Sequence, residues 1–88
     1  MSVLVITEIP LDISVYDQIA PGIEPHLRAA KGFTHHTAHA IGNGFVVTEI
    51  WDSSEDHKAF FETAIKPNLP VEPTRLEVHD LRNTISAP

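Results

Sequence analysis

The chain contains no cysteine. Disulfides, thiolate metal sites and a cysteine nucleophile are thereby excluded. Basic residues are scarce: six Lys and Arg stand against twelve Asp and Glu, for a formal net charge of -6. They form no cluster, so a nucleic-acid backbone or an anionic membrane surface would be repelled rather than bound. Long apolar runs are missing. Val3 to Ile6 is too short for a signal-peptide core or a membrane span, and no basic residue precedes it. These absences together predict a cytoplasmic protein. The sequence also has no glycine-rich phosphate loop, no dinucleotide fingerprint and no serine nucleophile elbow. Nothing predicts a cofactor.

What is present suits one domain, residues 1–88, with a loose tail from about 83 to 88. A chain this short buries only about 60% of its unfolded surface. Without disulfides or a metal, oligomerisation is the remaining way to supplement so thin a core.

Val3 to Ile9 is β-branched and stopped by Pro10, which predicts a first strand. Residues 14 to 31 repeat apolar side chains at helical spacing, with Ser14 as the predicted N-cap. Pro21 and Gly22 predict a break and a second short helix opened by Pro25 and ended by Gly32. Phe33 to Ile41 and Phe45 to Trp51 read as strands around Gly42-Asn43-Gly44. Asn-Gly favours a type I′ turn, whose central residues both need positive φ. With Asn43 and Gly44 at the turn, His39 faces Thr48, Ala38 faces Glu49 and His36 faces Trp51. A longer loop would shift this register. Ser53 and Asp56 can form a capping box opening a second helix, which Phe60, Phe61, Ala64 and Ile65 bury and Pro67 ends. Arg75 to Leu81 alternates as a fourth strand.

The order β-α-β-β-α-β predicts an α+β fold of ferredoxin-like topology, with both helices on one face of an antiparallel sheet. The other face then needs a cover. A second copy is the expected one, so the chain is predicted to be a homodimer.

Several stretches point to a family. Gly32-Phe33-Thr34-His35-His36-Thr37-Ala38 resembles the second strand of small antibiotic-biosynthesis-monooxygenase-like proteins. Val46-Val47-Thr48-Glu49-Ile50-Trp51-Asp52-Ser53 resembles their third strand and the turn after it. Ile65-Lys66-Pro67-Asn68-Leu69 and Leu76-Glu77-Val78-His79 are similar to their later segments. The resemblance spans nearly the whole chain and implies a dimeric α/β barrel, in which two sheets face each other around a cavity. It implies activities as different as cofactor-free oxygenation of polyketide phenols and haem degradation. The family's haem-degrading members use an Asn, a Trp and a His at positions that fall near Thr7, Phe60 and Pro70 here. None matches.

Six histidines in so short a chain invite a metal site. His35 and His39 would lie one turn apart on a helix, but about 13 Å apart on a strand. The strand reading is favoured, and no metal is predicted. His36, Glu49 and Trp51 fall on one sheet face, and His79 and Glu77 are candidates for the same surface. Two imidazoles and two carboxylates beside a half-apolar cavity suit proton abstraction from a phenol or an acidic carbon. His36, His79 and Glu49 are therefore the candidate catalytic residues, and Trp51, Glu77 and His39 the candidate contacts to a small aromatic or hydrophobic substrate. The competing reading makes them ordinary strand residues or dimer contacts. A non-catalytic dimer, carrying haem or another hydrophobic ligand, is the alternative function. Tyr16 reads as a helix residue with a wet hydroxyl, and reaching a pocket mouth is its lesser reading. His57 reads as an unfavourable cation in a helix's first turn.

Overall fold

A computed structural model describes all 88 residues. Four strands, β1 (Val3–Ile9), β2 (Phe33–Ile41), β3 (Gly44–Trp51) and β4 (Arg75–Asp80), form one antiparallel sheet in the order β2-β3-β1-β4. Helix α1 (Ile13–Ala29) connects β1 to β2, and α2 (Ser54–Phe60) follows β3. This is the predicted α+β ferredoxin-like order. No helix is long and apolar enough to cross a membrane.

Two local readings change. Helix α1 is continuous through Pro21 and Pro25. Each proline leaves the carbonyl four residues earlier without its helical donor. Those carbonyls belong to Asp17 and Pro21, both exposed, so water replaces the lost bonds. Its N-cap is Asp12, not Ser14: the Asp12 carboxylate accepts from the Ser14 amide at 3.0 Å. Ser53 caps α2 as expected, accepting from the Asp56 amide at 3.1 Å. Beyond Phe60 the chain widens into a π-turn, Phe61–Ile65, then tightens into a 3-10 turn, Lys66–Asn68, where Pro67 ends it.

The β2–β3 hairpin also differs. Ile41 pairs with Gly44, so the turn is Gly42-Asn43 and the register moves by two residues. Now His39 faces Val46, Ala38 faces Val47 and His36 faces Glu49. Only Gly32 has a positive φ, so this is not a type I′ turn. Gly44 is needed for another reason: a Cβ there would strike the Ile9 carbonyl. Of the Asn-Gly pair, Asn43 therefore lies in the turn, and Gly44 marks a close approach between β3 and β1.

A shift of two leaves side chains on their predicted faces. Val3, Val5, Thr7 and Ile9 share the helix-facing side with Phe45, Val47, Glu49 and Trp51. Val3, Val5, Leu27 and Trp51 form the core, with Ala30, Phe33 and Phe60 packed against it. On β4, the helix-facing Leu76 and Val78 stay 47% and 45% exposed, because β4 is an edge strand.

Candidate functional site

A cavity of about 380 Å³ lies between the sheet and the two helices, walled mostly by hydrophobic side chains. Its position differs from the expected chamber between two sheets. It is built within a single subunit, on the face that the helices cover.

A β-bulge selects the histidine that faces it. Phe33 pairs with Trp51 and His35 with Ile50, so Thr34 is an extra residue on β2. The Thr34 hydroxyl donates to the Ile50 carbonyl at 2.8 Å and anchors the bulge. With straight pairing from Phe33, His35 would stand opposite Glu49. The added residue puts His36 there instead, with both Phe33 and His36 on the cavity side.

His36 Nδ1 lies 2.6 Å from Glu49 Oε2, and Trp51 Nε1 donates to Glu49 Oε1 at 2.9 Å. On the other side of the ring, His36 Nε2 lies 2.7 Å from the Tyr16 hydroxyl. An ionised Glu49 can only accept. It therefore requires a proton on His36 Nδ1, and in the neutral ring the Nε2 lone pair accepts from Tyr16. The chain of bonds runs Tyr16 to His36 to Glu49, with Trp51 closing the far end. Glu49 is 8% exposed and Trp51 is fully buried, so the carboxylate is held in place rather than solvated.

Tyr16 reaches His36 because it sits in the first turn of α1, facing the sheet. Its ring stacks on His36 at 5.9 Å and meets Phe45 edge-on at 5.5 Å. Burial pushes its hydroxyl above the usual phenol range, and the charges of Glu49, Asp17 and Glu24 add to this. Tyr16 is accordingly a hydroxyl at neutral pH, a donor to His36. It is not the wet helix residue the sequence suggests.

His57 is also placed differently. It is 6% exposed and packs edge-on against Trp51, with ring centroids 5.7 Å apart, and beside Phe61 at 5.9 Å. Burial lowers its pKa, partly offset by Glu49. The ring is a neutral wall of the cavity, which removes the conflict with the helix dipole.

Of the six candidate residues, His36, Glu49 and Trp51 come together as the face pattern implies. His79, Glu77 and His39 do not join them. The register places all three on the opposite, open face. There His79 Nε2 lies 2.8 Å from Glu77, which also pairs with Arg75. Alternation within β4 puts Leu76 and Val78 toward the helices, so Glu77 and His79 must point away. No group of three or more His, Asp or Glu side chains converges in a way that would hold a metal ion.

Sequence reasoning placed neither Tyr16 nor His57 among the candidate residues. Tyr16 lies three residues before Ile19, on the same apolar stripe that the helical spacing had already defined. His57 lies three and four residues before Phe60 and Phe61, on the buried stripe of α2. Membership in a buried stripe was the available signal for both.

No family model and no curated protein matches this chain. Solved structures do. A cofactor-independent oxygenase, SnoaB from Streptomyces nogalater, has 12% identity over 98% of this chain and 96% of its own, with a TM-score of 0.65. The monooxygenase ActVA-Orf6 of Streptomyces coelicolor, solved with nanaomycin D, has 18% identity over 99% and 92%, also at 0.65. A heme-degrading protein from Mycobacterium tuberculosis has 17% identity over 98% and 100%, at 0.60. The fold is the one these proteins share. At these identities the likeness concerns the fold, which supports many chemistries. Two of the positions tied above to haem degradation, Thr7 and Phe60, do border the cavity here, but with side chains unlike the Asn and Trp expected there.

Proposed function

We propose that this chain is a cofactor-independent, monooxygenase-like enzyme acting on a small aromatic or polyketide-like molecule, with His36 as its base. The observation that carries this reading is the bonded chain Tyr16–His36–Glu49–Trp51 at the wall of a mostly apolar cavity. A substrate hydroxyl or acidic methylene at Tyr16 would give up a proton as Tyr16 passes its own to His36 Nε2. Glu49 then faces an imidazolium, and its charge stabilises it. For an anthrone-type methylene, the resulting carbanion is the reductant and O2 the oxidant. Oxygen adds at carbon, the proton returns to give a hydroperoxide, and loss of water leaves a ketone. Both oxygen atoms are thus accounted for, one in product and one in water. The apolar wall supports the step by keeping bulk water from the anion.

The test is oxygen uptake with a panel of hydroxynaphthalenes and anthrones. His36→Ala should lower turnover by about 10²- to 10⁴-fold, the usual contribution of a general base. His79→Ala, on the open face, should leave it unchanged. Turnover unaffected by His36→Ala would remove the assigned base. A wild type inert on the whole panel would remove the class.

The second reading is a non-catalytic carrier of a hydrophobic ligand, favoured by the apolar wall. For haem in particular, both His36 nitrogens already have partners. Ligation there would have to displace Tyr16, and a haem titration without a Soret shift would eliminate that version.

Pairing belongs to the same proposal. Leu4, Ile6, Ile41 and Ile50 stay partly exposed on the open face of the sheet, and a second copy would cover them in a cytoplasmic homodimer. Sedimentation giving only 9.7 kDa particles at micromolar concentration would refute the pairing.

A further inference from the structure

Buried polar groups in proteins are nearly always bonded, so one that is not bonded asks for an explanation. In the cavity wall, Glu49 has both carboxylate oxygens engaged, and His36 has both nitrogens engaged. Two other polar side chains there are more than nine-tenths buried: Thr7 at 8% exposure and His57 at 6%. Neither has a side-chain hydrogen bond. Yet no fully occluded side-chain nitrogen or oxygen in the molecule lacks a partner. The Thr7 hydroxyl and the His57 nitrogens must therefore touch open space. For Thr7 that space is the cavity. For His57 it is the cavity or the groove behind α2, between which its ring forms part of the wall.

The two groups come from different elements, the middle of β1 and the first turn of α2. Both are set in rigid surroundings. Thr7 stands in the ladder between Val47 and Leu76. His57 is clamped between Trp51 and Phe61. A hydroxyl and an imidazole fixed this way are preorganised to bond something that enters the cavity. A neutral imidazole offers one N–H donor and one lone pair, and a hydroxyl offers both roles. As two donors the pair matches carbonyl oxygens, and it does not match a carboxylate or a phosphate, because the charges lining the cavity, Glu49 and the mutually paired Glu24 and Arg28, sum to a negative value.

We propose that Thr7 and His57 recognise the ligand, holding carbonyl oxygens of an aromatic molecule away from the group that Tyr16 and His36 handle. This rests on the reading of the cavity as a small-molecule site, and it narrows the ligand class to aromatic ketones and quinones. Neither residue moves the proton; both are positioning residues. Their role does not require turnover.

The experiment compares 1,8-dihydroxyanthraquinone with 1,8-dihydroxyanthracene, which lacks the two carbonyls. Trp51 is the single tryptophan and touches His57, so quenching of its fluorescence reports binding. Wild type should bind the quinone at least tenfold tighter. His57→Phe, which keeps the ring packing, and Thr7→Val, which keeps the shape, should each lose about five- to tenfold for the quinone, one net hydrogen bond. Binding of the carbonyl-free diol should not change. Ring-nitrogen NMR of His57 in the wild type guards against a variant that fails to fold: its shifts should move on saturation with the quinone and stay put with the diol. Equal selectivity in wild type and both variants, or an unmoved His57 signal, would overturn the proposal. So would a wild type that binds neither ligand, which would remove the small-molecule site as well. Selectivity that persists without any oxygen uptake would support this proposal while refuting the oxygenase.

Discussion

Replacing Glu49 by glutamine should reverse the proton on His36, and the structure dictates how. The carboxylate now accepts from Trp51 Nε1 at 2.9 Å and from His36 Nδ1 at 2.6 Å. An amide has one accepting and one donating end. Indole nitrogen is only ever a donor, so Trp51 claims the amide oxygen. The amide nitrogen then faces His36 Nδ1 and must donate to it. His36 moves its proton to Nε2, and the Tyr16 hydroxyl must turn from donor to acceptor. The side chain keeps its shape, yet the base loses its lone pair on the cavity side. In serine proteases the equivalent loss of tautomer lowers kcat about 10⁴-fold. The stability cost follows from the bonds. Two charge-assisted hydrogen bonds, each about 1.5–3 kcal/mol, become neutral ones of about 0.5–1.5 kcal/mol. Relief of burying a charge recovers part of this. A net loss of about 1–2 kcal/mol remains, which in a domain this small lowers Tm on the order of 5–10 °C. Long-range proton–nitrogen NMR of the histidine rings reads the tautomer directly. If Glu49→Gln leaves the proton on His36 Nδ1 and the Tm unmoved, the assigned direction of the whole chain of bonds is wrong.

Three further outcomes follow from single features. Gly32 sits at a φ of 84°, where a Cβ would also strike the Asp56 side chain, so Gly32→Ala should destabilise by more than about 1 kcal/mol in urea melts. A Gly22→Ala control, with open space around it, should not. Because burial lowers the His57 pKa, the unfolded chain binds that proton more readily. Stability should therefore fall as pH drops below about 6.5 through the folded pKa, and His57→Phe should flatten that slope. Tyr16 is the single tyrosine, so ultraviolet titration reports it alone. Its folded pKa is raised, so its contribution is intact below pH about 10 and lost as pH rises through the folded value. Phenolate absorbance should appear only above that range, and Glu49→Gln should bring it back toward pH 10.

The elements were legible because their signals are local. Pro10, the apolar spacing of α1, the Ser53 cap and the alternation in β4 each act over a few residues. Even the wrong register left His36, Glu49 and Trp51 on the right face, since an error of two residues preserves alternation. The missed features depend on contacts distant in sequence. Gly44 is glycine because of Ile9, 35 positions earlier, and not because of the turn beside it. Pro21 and Pro25 do not break α1, because the carbonyls they free belong to the exposed residues Asp17 and Pro21. That exposure exists only once the opposite stripe has docked on the sheet. His79 and Glu77 have the chemistry of a site, but one-residue alternation sends them to the other face, and only the pairing of β4 with β1 decides which face that is.

The location of the cavity changes what the proposed pairing would be needed for. From the sequence, the chamber lies between two sheets, so the candidate chemistry depends on a second copy. In the structure, Tyr16 comes from α1, His36 from β2, Glu49 and Trp51 from β3, and His57 from α2, all in one subunit. The open face contributes none of them. Its polar side chains, His39, Glu77 and His79, point away from the cavity. A substitution that weakens pairing there, such as Ile6→Lys, acts on the far side of β1 from Val5 and Thr7. Such a change alters the stability of a thin fold, and it leaves the bonds among Tyr16, His36 and Glu49 as they are. The His36 tautomer and the ligand selectivity of His57 should then be the same in monomer and dimer. If both vanish on dissociation, the single-subunit wall is not sufficient, and the covering sheet must hold the helices onto the cavity.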